Sequence, residues 1–589
     1  MAVSLSRFAV RRIDPANRLR NSPRLGFKIT HPETTLKTIP LCMAALSAAI
    51  LAGCGGAGGA SDSAPQAAPA TKQLAEVVNA SAFGVAAVNG IITVNSGAGL
   101  VFKVRQTNGD VISIRYNDGP ELQLQSRFSH ISSGIGAATT FSVTGSVAKL
   151  TLTTPTLTHY LLVREGENNI YMGTYITAEP SVGELRWITR LNAALLPDRP
   201  PASNTDGTTG AIDSADVFGL PNGESRSKYF GNQRAIDLTL RGVRGPGVGV
   251  YMVYGNRESS SGGPFYNDIQ FQTTEVYNYM NSGHNQTEAW RMGFHGPYAL
   301  MFTDGATPAI PDMAWMEAHD LLGWVPKAAR GAVTGAGLTG MSAVYPYTVA
   351  FANATAQYWA RVDPVAGSFT SPDMKPGTYS MTVYKAEYAL LTENVTVSAG
   401  ASTSLDSRSV LADPSNDVPL WRIGDWDGTP TEFANGARLR DMHPSDVRHS
   451  SWVMPEFRVG TSVAATDFSP YQWKDVNGSI TIKFNLRKSQ IAPLTLRAGI
   501  TVAQSGGRPK AQVNGWVSAN PAASSQPAGR SFTLGSFRGN NRMYTFNIPS
   551  SELVVGENTV TLTAISGSSG TRYLSPGYAY DAVDLIRTP

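Results

Sequence analysis

Two arginines in a predicted strand are the first residues whose spacing suggests chemistry. Arg186 and Arg190 lie four positions apart in the segment Glu184-Leu-Arg-Trp-Ile-Thr-Arg190. Because alternate residues of a strand face the same side, both guanidinium groups are predicted on one face. Each guanidinium can bind a carboxylate through two parallel hydrogen bonds, so the pair would suit a ligand rich in carboxylates. The spacing is also compatible with two solvated arginines on an outer face.

Two further segments are denser in polar and aromatic residues than strand formation needs. They are Ser225-Arg-Ser-Lys-Tyr-Phe230, which contains Lys228, and Tyr277-Asn-Tyr-Met-Asn-Ser-Gly-His-Asn-Gln-Thr-Glu288, which contains His284. Taken alone, a lysine in a polar loop is usually solvated, and a histidine after Ser-Gly is usually a turn residue. Composition therefore singles out these segments without fixing their role.

Several familiar catalytic patterns are excluded by their surroundings. Ser225-Arg-Ser-Lys228 matches the S-x-x-K of penicillin-recognising enzymes, but the chain has no S-D-N or K-T-G partner motif. Gly245-Pro-Gly-Val-Gly249 leads into a strand rather than a helix, which argues against a dinucleotide site. The eight histidines are dispersed and form no H-E-x-x-H motif, so no zinc site is predicted. No local signature marks the carboxylate pair that a glycosidase needs.

Short strands with a period of two are predicted to position these residues. Leu100-Val-Phe-Lys-Val-Arg, a turn at Asn108-Gly109 and Val111-Ile-Ser-Ile-Arg-Tyr indicate a hairpin, and similar patterns recur along the chain. The 58 glycines and 36 prolines favour a turn-rich β protein over a helical bundle. The best helical candidate is residues 312–322. The predicted fold class is all-β, beginning with a large antiparallel sandwich.

The length of 589 residues is too great for one domain. Around residues 327–340 the chain becomes Gly-rich and a new set of strands begins, and a second break lies at Asp413-Pro-Ser-Asn-Asp-Val-Pro419. The sequence therefore predicts a first sandwich over 80–328, a small sandwich over 329–412 and a block over 413–589 that is rich in Trp and short strands.

The amino-terminal segment is predicted to export the protein. Leu41-Cys-Met-Ala-Ala-Leu-Ser-Ala-Ala-Ile-Leu-Ala-Gly-Cys54 is too short to span a bilayer but fits the core of a secretory signal. Its end resembles a bacterial lipobox, in which Cys54 would receive a lipid; an ordinary signal with a chance cysteine is the alternative. Residues 1–54 are thus predicted to be a signal peptide, and residues 55–79 a flexible tether.

Charge argues against a nucleic-acid partner. The formal net charge is +4, but residues 1–54 contain eight Lys/Arg and two Asp/Glu, which leaves a net −2 for residues 55–589. A nearly neutral body gives no reason to expect binding to a phosphate backbone. The membrane is expected to be reached only through the lipid anchor.

Several segments together resemble the rhamnogalacturonan lyases of polysaccharide lyase family 4. Those of the first domain are residues 279–288, Gly293-Phe-His-Gly-Pro-Tyr-Ala-Leu-Met-Phe302 and the strand pattern within 241–258. Residues 367–379 resemble the family's fibronectin-III-like module. Leu420-Trp-Arg-Ile-Gly-Asp-Trp-Asp-Gly-Thr-Pro430 and Tyr580-Asp-Ala-Val-Asp-Leu585 resemble its C-terminal carbohydrate-binding-like module. The resemblance spans residues 80–589, in the family's order.

The resemblance implies a fold and a reaction. The expected architecture is a galactose-mutarotase-like catalytic sandwich, a fibronectin-III-like sandwich and a C-terminal jelly roll. The expected reaction is β-elimination in the rhamnose–galacturonate backbone of pectin (rhamnogalacturonan I), which leaves a 4,5-unsaturated galacturonate. Such a reaction needs a base, a cation beside the sugar carboxylate and an acid for the leaving oxygen.

The resemblance also assigns the site residues. The family's catalytic lysine and histidine match Lys228 and His284, and its arginine pair matches Arg186 and Arg190. Tyr279 and Glu288 are expected at the substrate, although Glu288 could instead orient His284.

Two matters are left open by the sequence. A non-catalytic glycan-binding lipoprotein on the same scaffold is the alternative function, but a pure binder would be expected to have lost Lys228 or His284. Asp425-Trp-Asp-Gly-Thr429 resembles part of a calcium loop, although a turn packed by Trp426 is the favoured interpretation. No cofactor is expected for catalysis, a structural calcium ion is left open, and the chain is expected to be a monomer.

Overall fold

The structure of the protein is a computed structural model. It describes residues 82–132, 134–200, 205–273, 275–282, 288–441, 443, 445–448, 453–454, 456–523, 537 and 540–588. The architecture is nearly all antiparallel sheet, as predicted. Within the described residues, no helix is long and apolar enough to cross a bilayer.

The first domain contains eighteen of the described strands. They are β1 (Gly84–Val88), β2 (Ile91–Asn95), β3 (Leu100–Arg105), β4 (Val111–Tyr116), β5 (His130–Ile131), β6 (Ala138–Thr144), β7 (Val147–Thr153), β8 (Leu157–Arg164), β9 (Asn169–Ile176), β10 (Glu184–Arg190), β11 (Gly210–Asp213), β12 (Val217–Gly219), β13 (Ser225–Ser227), β14 (Leu240–Gly245), β15 (Val248–Val253), β16 (Phe271–Gln272), β17 (Glu275–Ser282) and β18 (Gly293–Thr303).

Three sheets of this domain share one hydrophobic core. A seven-stranded sheet in the order β14-β15-β18-β9-β8-β7-β6 packs with the β1–β4 sheet and with a sheet in the order β16-β17-β10-β5. Leu161 and Met172 of the large sheet, Phe102 of the β1–β4 sheet and Trp187 of β10 are all buried in that core. The burial of so many apolar side chains gives the sandwich its stability and fixes the position of β10.

The second domain contains the strands β19 (Ala332–Gly335), β20 (Leu338–Thr339), β21 (Tyr347–Ala352), β22 (Gln357–Arg361), β23 (Phe369–Thr370), β24 (Gly377–Lys385), β25 (Tyr388–Val397), β26 (Ser402–Leu405) and β27 (Arg408–Ser409). Its main sheet has the order β22-β21-β24-β25, and its core includes Phe351, Tyr379 and Met381. This is a small sandwich of the predicted kind.

The C-terminal domain contains the strands β28 (Trp421–Gly424), β29 (Phe457–Arg458), β30 (Tyr471–Trp473), β31 (Ser479–Leu486), β32 (Leu494–Gln504), β33 (Arg508–Val513), β34 (Trp516–Val517), β35 (Arg542–Ile548), β36 (Gly556–Ile565) and β37 (Gly577–Arg587). They form two five-stranded sheets, whose shared core includes Ile482, Leu496 and Leu562.

Helices in the described chain are short. There is one α-helix, α1 (Ala464–Asp467), and there are 3₁₀ helices at Ala314–His319, Lys327–Ala329, Pro414–Asn416, Gly436–Asp441, Lys488–Gln490 and Ser550–Glu552. The helix predicted over residues 312–322 is therefore only the 3₁₀ turn Ala314–His319. Asp320 ends it with a left-handed φ of 50°.

Candidate active site

The face of β10 that points away from the core carries Arg186 and Arg190. Leu185 and Trp187 point into the core, while Arg186, Ile188 and Arg190 lie on the opposite face. This alternation follows from the two-residue period of a strand. The prediction that both arginines share one face is consistent with this arrangement, even though the strand pair has an irregular register between Leu185 and Arg186.

Arg186 lies against two tyrosines of the neighbouring strand β17. Its register partner is Tyr279, and its guanidinium donates a hydrogen bond to the Tyr279 hydroxyl. The guanidinium carbon lies 5.2 Å from the centre of the Tyr279 ring and 5.9 Å from that of Tyr277, which are cation–π distances. Glu184 Oε1 forms an ion pair with the same guanidinium, at 2.8 Å from its Nη2. Arg186 is thus held in one orientation, with 19% of its side chain exposed.

Lys228 follows strand β13 of a separate three-stranded sheet, β11-β12-β13. Its Nζ lies 2.6 Å from Asp216 Oδ1 and 5.4 Å from the centre of the Tyr229 ring. Burial lowers the pKa of Lys228; the charge of Arg186 acts in the same direction, whereas Asp268 and Glu184 oppose it. The ion pair with Asp216 also works against burial. Lys228 is therefore a partly buried lysine, with 17% of its side chain exposed, and its charge depends on its acidic neighbours.

Arg190 has a different environment from Arg186. Its side chain is only 7% exposed, and its Nε donates to Glu275 Oε1 at 2.7 Å. Its Nη1 donates to the Phe128 carbonyl at 2.6 Å and lies 3.1 Å from His130 Nε2. The positive charge of Arg190 is therefore largely balanced by Glu275, which a single-strand pattern could not reveal.

Both arginines nevertheless line one open cleft of about 370 Å³. Arg127, Phe128, His130 and Asp110 complete its wall. Sequence reasoning does not identify Arg127, which precedes β5, or His130, the first residue of β5, because neither belongs to a local motif. Tyr277 could have been found from the sequence, since it lies two residues before Tyr279 and must share its face.

The remaining predicted residues are placed as follows. The Glu288 carboxylate accepts a hydrogen bond from the Gly262 backbone N–H and lies 3.9 Å from Arg291 Nη1. His284 and Cys54 lie outside the described residues. Their predicted roles as catalytic and lipidated residues therefore stay predictions.

A larger cavity lies apart from this chemistry. It has a volume of about 580 Å³ and is lined by Phe294, Met313 and Trp324 of the first domain and by Trp359 of the second. Neither arginine of the pair nor Lys228 lines it. The candidate site is accordingly assigned by its ionisable groups rather than by cavity size.

The Asp425–Thr429 segment forms a closed turn at the C-terminal domain. Asp427 Oδ1 accepts hydrogen bonds from the Thr429 backbone N–H at 2.8 Å and from its hydroxyl at 2.9 Å. Trp426 is buried, with the Arg497 guanidinium 5.3 Å above its ring. In the described part of the chain, no three His, Cys, Asp or Glu side chains are grouped as ligands for a metal ion.

The described chain combines β-sandwich domains, a partly buried lysine and an arginine-lined cleft. Comparison with known families identifies the class. Residues 83–323 match the family model described as "Rhamnogalacturonan lyase B, N-terminal". Residues 329–405 match "Polysaccharide lyase family 4, domain II" and residues 419–585 match "Polysaccharide lyase family 4, domain III". The chain belongs to polysaccharide lyase family 4 and is a polysaccharide lyase.

Individual relatives give the same family. Rhamnogalacturonate lyase A of Aspergillus aculeatus is 43% identical over 525 residues, which cover 87% of this chain and 98% of that protein. "Probable rhamnogalacturonate lyase A" of Aspergillus fumigatus is 43% identical over 521 residues, with 87% and 97% covered. Among solved structures, galactose 1-epimerase from Lactobacillus acidophilus covers 37% of this chain and 95% of its own, at 11% identity and a TM-score of 0.22. This low score carries no weight for the fold.

Proposed function

We propose that the protein is a rhamnogalacturonan lyase. It cleaves the rhamnose-α-(1→4)-galacturonate bond of the rhamnogalacturonan I backbone by β-elimination and leaves a 4,5-unsaturated galacturonate end. The observation that carries this proposal is a partly buried lysine of lowered pKa, Lys228, within electrostatic reach of the Arg186 guanidinium. Family membership supports the substrate class, since the relatives are named rhamnogalacturonate lyases.

The proposed reaction assigns one task to each group. Neutral Lys228 removes the C5 proton of the galacturonate, and the electron pair of that C–H bond moves onto the C6 carboxylate. The C4–oxygen bond breaks as this pair returns to form the C4–C5 double bond, and His284 donates a proton to the leaving rhamnose oxygen. Arg186 binds the C6 carboxylate, on which negative charge develops as the proton leaves. Because burial lowers the pKa of Lys228, more of it is neutral at a given pH than of an exposed lysine.

The other predicted residues act around this centre in the proposal. Tyr279 orients Arg186 through its hydroxyl and offers its ring to the sugar. Arg190 contributes positive potential to the cleft, although Glu275 shares its charge. Glu288, whose carboxylate accepts a hydrogen bond from the Gly262 backbone N–H, is proposed to contact the substrate, with orientation of His284 as its alternative role.

The alternative is a glycan-binding lipoprotein without activity. The presence of Lys228 and His284 favours the enzyme, because a binding protein has no use for a base and an acid at these positions. Incubation with rhamnogalacturonan I, with the ultraviolet absorbance of the unsaturated product as readout, separates the two functions. Lys228→Ala should abolish the signal, whereas Lys103→Ala, at an exposed lysine of β3, should leave it intact. Binding without product in the unmodified protein would favour the alternative.

Catalysis is proposed to need no cofactor, because amino-acid side chains supply the base, the acid and the cation. Turnover should therefore survive dialysis against a chelator. A structural calcium ion in the C-terminal domain is a separate question, which the sequence leaves open. A rise in the melting temperature on addition of calcium chloride to chelator-treated protein would support it.

Export and a monomeric state complete the proposal. The apolar segment that ends at Cys54 directs the chain out of the cytoplasm, and a lipid on Cys54 anchors it to the cell envelope, at the periplasmic side or the cell surface; a secreted form is the alternative. The two relatives reported above are fungal, whereas a lipobox is a bacterial signal, so the anchor rests on residues 41–54 alone. Sedimentation of the purified chain tests whether it is a monomer.

A further inference from the structure

We propose that the C-terminal domain helps to build the active site, with Asp216 as a positioning residue for Lys228 and Tyr573 as the residue that fixes Asp216. The inference rests on the proposed function, since it concerns how Lys228 serves as the base. It assigns the C-terminal domain a part in catalysis besides any binding of carbohydrate.

Asp216 holds Lys228 at two points. The Lys228 backbone N–H donates to the Asp216 carbonyl at 2.7 Å, and the Lys228 Nζ lies 2.6 Å from Asp216 Oδ1. The Asp216 side chain is only 1% exposed, so the contact is screened from solvent on the aspartate side. Main-chain and side-chain contacts together restrict where the lysine nitrogen can lie.

The second oxygen of the same carboxylate is bound by the C-terminal domain. The Tyr573 hydroxyl donates to Asp216 Oδ2 at 2.7 Å, across 357 positions of sequence. Tyr573 is fully buried and packs in a cluster with Val217 of β12 and with Tyr471, Trp473 and Val502 of the C-terminal domain. The carboxylate is therefore placed between an ammonium group of one domain and a phenol of another.

The turn that presents Asp216 has an unfavourable backbone conformation. Ser214 and Ala215 both have φ of 53°, a left-handed conformation that is unfavourable for a residue with a side chain. Such a turn persists where its surroundings fix it. The C-terminal domain supplies that support at Asp213, whose carboxylate lies 3.1 Å from His443 Nε2 and 3.4 Å from Arg572 Nη1.

The strand that leads to Lys228 is held by the same domain. Ser225 of β13 donates from its backbone N–H and its hydroxyl to Asp446 Oδ2, the hydroxyl at 2.8 Å. Arg448 Nη2 donates to the Ser225 carbonyl at 2.8 Å. Both flanks of Lys228, the Asp216 turn and β13, are thus fixed by residues far along the chain.

These contacts predict the direction in which two substitutions shift the protonation equilibrium of Lys228. The Lys228 ammonium is in direct contact with Asp216. The charges of Arg186, Asp268 and Glu184 also act on it from a greater distance. Removal of the Asp216 charge disfavours the ammonium and makes the neutral base available at lower pH. Removal of the Tyr573 hydroxyl leaves the Asp216 charge less well satisfied, so Asp216 attracts the ammonium more strongly. A purely structural interface predicts neither shift.

The test is the pH dependence of kcat/KM for product formation in the full chain. Asp216→Asn should move the alkaline-rising limb to lower pH by about one unit, while misplacement of the lysine lowers kcat on the plateau by about 10-fold. Tyr573→Phe should move the limb to higher pH. Tyr578→Phe is the matched control, because it removes a buried hydroxyl of the same domain that bonds to Gln472.

Each outcome decides the inference. Opposite shifts in the two variants, with the Tyr578→Phe limb unmoved, support it. Falls in kcat without any shift, or profiles identical to the unmodified protein while Lys228→Ala is inactive, overturn it and leave the proposed function intact. Full activity in Lys228→Ala overturns both. If Asp216→Asn does not fold, as judged by its melting temperature, the direction in which the alkaline-rising limb moves in Tyr573→Phe decides the inference.

Discussion

Arg186 and Tyr279 face each other across the β10–β17 strand pair. The Arg186 guanidinium lies over the Tyr279 ring and donates a hydrogen bond to the Tyr279 hydroxyl. Burial raises the pKa of Tyr279, and the charge of Asp268 acts in the same direction. The phenol is therefore neutral at working pH and orients Arg186 without cancelling its charge. This arrangement leaves a fixed cation at the cleft, where the proposed substrate carboxylate would bind.

Arg186→Ala should lower kcat by about 100-fold, because a preorganised cation is lost at the place where charge develops. Arg186→Lys should recover only part of the rate, since an ammonium cannot form two parallel hydrogen bonds with a carboxylate. Tyr279→Phe keeps the ring and removes only the hydroxyl, so its effect should be smaller than that of Arg186→Ala. Initial rates of unsaturated product measure all three. A near-normal rate in Arg186→Ala would place the substrate carboxylate elsewhere.

Arg190→Ala should chiefly destabilise the fold. It would leave the Glu275 carboxylate buried without its 2.7 Å partner, and loss of one member of a buried ion pair costs about 3 kcal/mol. Urea unfolding should show this loss, and addition of Glu275→Gln should recover part of it. The comparison with Glu275→Gln alone also tests the predicted substrate role. A larger fall in kcat/KM in Arg190→Ala than in Glu275→Gln, at matched stability, would assign Arg190 to the substrate.

The local features of the site follow from sequence because they depend on strand geometry. The two-residue period places Arg186 and Arg190 on one face of β10, and the same rule pairs Tyr277 with Tyr279 on β17. The all-β fold class follows from the repeated alternation and the turn residues. The helix expected over 312–322 was wrong in extent, since only Ala314–His319 is helical, and Asp320 turns the backbone away.

The long-range contacts could not be obtained from one sequence. Strand pairing decides that Arg190 meets Glu275, 85 positions away, and no local pattern encodes that choice. The contact between Asp216 and Tyr573 spans 357 positions and depends on how whole domains pack. Single-strand patterns predict which side a residue faces, whereas the charge it meets there depends on tertiary structure.

Cys54→Ser should release the protein from membranes, because the acyl chains would supply its membrane affinity. Fractionation of cells that express each form, followed by detection in the sedimented and soluble fractions, measures this. Cys42→Ser, at the other cysteine, is the matched control and should stay with the membrane. Sedimentation of the Cys54→Ser form with membranes would disprove the lipid anchor.

Glu258 should make the protein sensitive to acid. Burial by itself would raise the pKa of Glu258, but hydrogen bonds from Arg330 at 2.6 and 3.1 Å and the charge of Lys375 lower it to about 2. A lowered folded-state pKa gives stability that is present above the unfolded value near 4.5 and is lost as the pH falls toward 2. Glu258→Gln should cost about 2 kcal/mol or more at pH 7 and flatten the acid limb of stability. Glu179→Gln, at an exposed site, should change neither.

Glu432 should make the protein less stable as the pH rises, which is the opposite of the effect of Glu258. Its Oε1 accepts from the Asp425 backbone N–H at 2.7 Å, and burial together with the charges of Asp427 and Asp581 raises its pKa to about 9. The unfolded chain releases this proton near pH 4.5, so stability falls as the pH rises from about 4.5 to 9.

Glu432→Gln keeps an oxygen that can accept the hydrogen bond from Asp425, but its side chain does not titrate. It should raise the free energy of unfolding at pH 8 by on the order of 2 kcal/mol and leave it nearly unchanged at pH 4. Urea unfolding at both pH values, with Glu393→Gln in the second domain as the control, measures the difference. Equal stability of Glu432→Gln and the unmodified protein at pH 8 would show that Glu432 is already ionised in the fold.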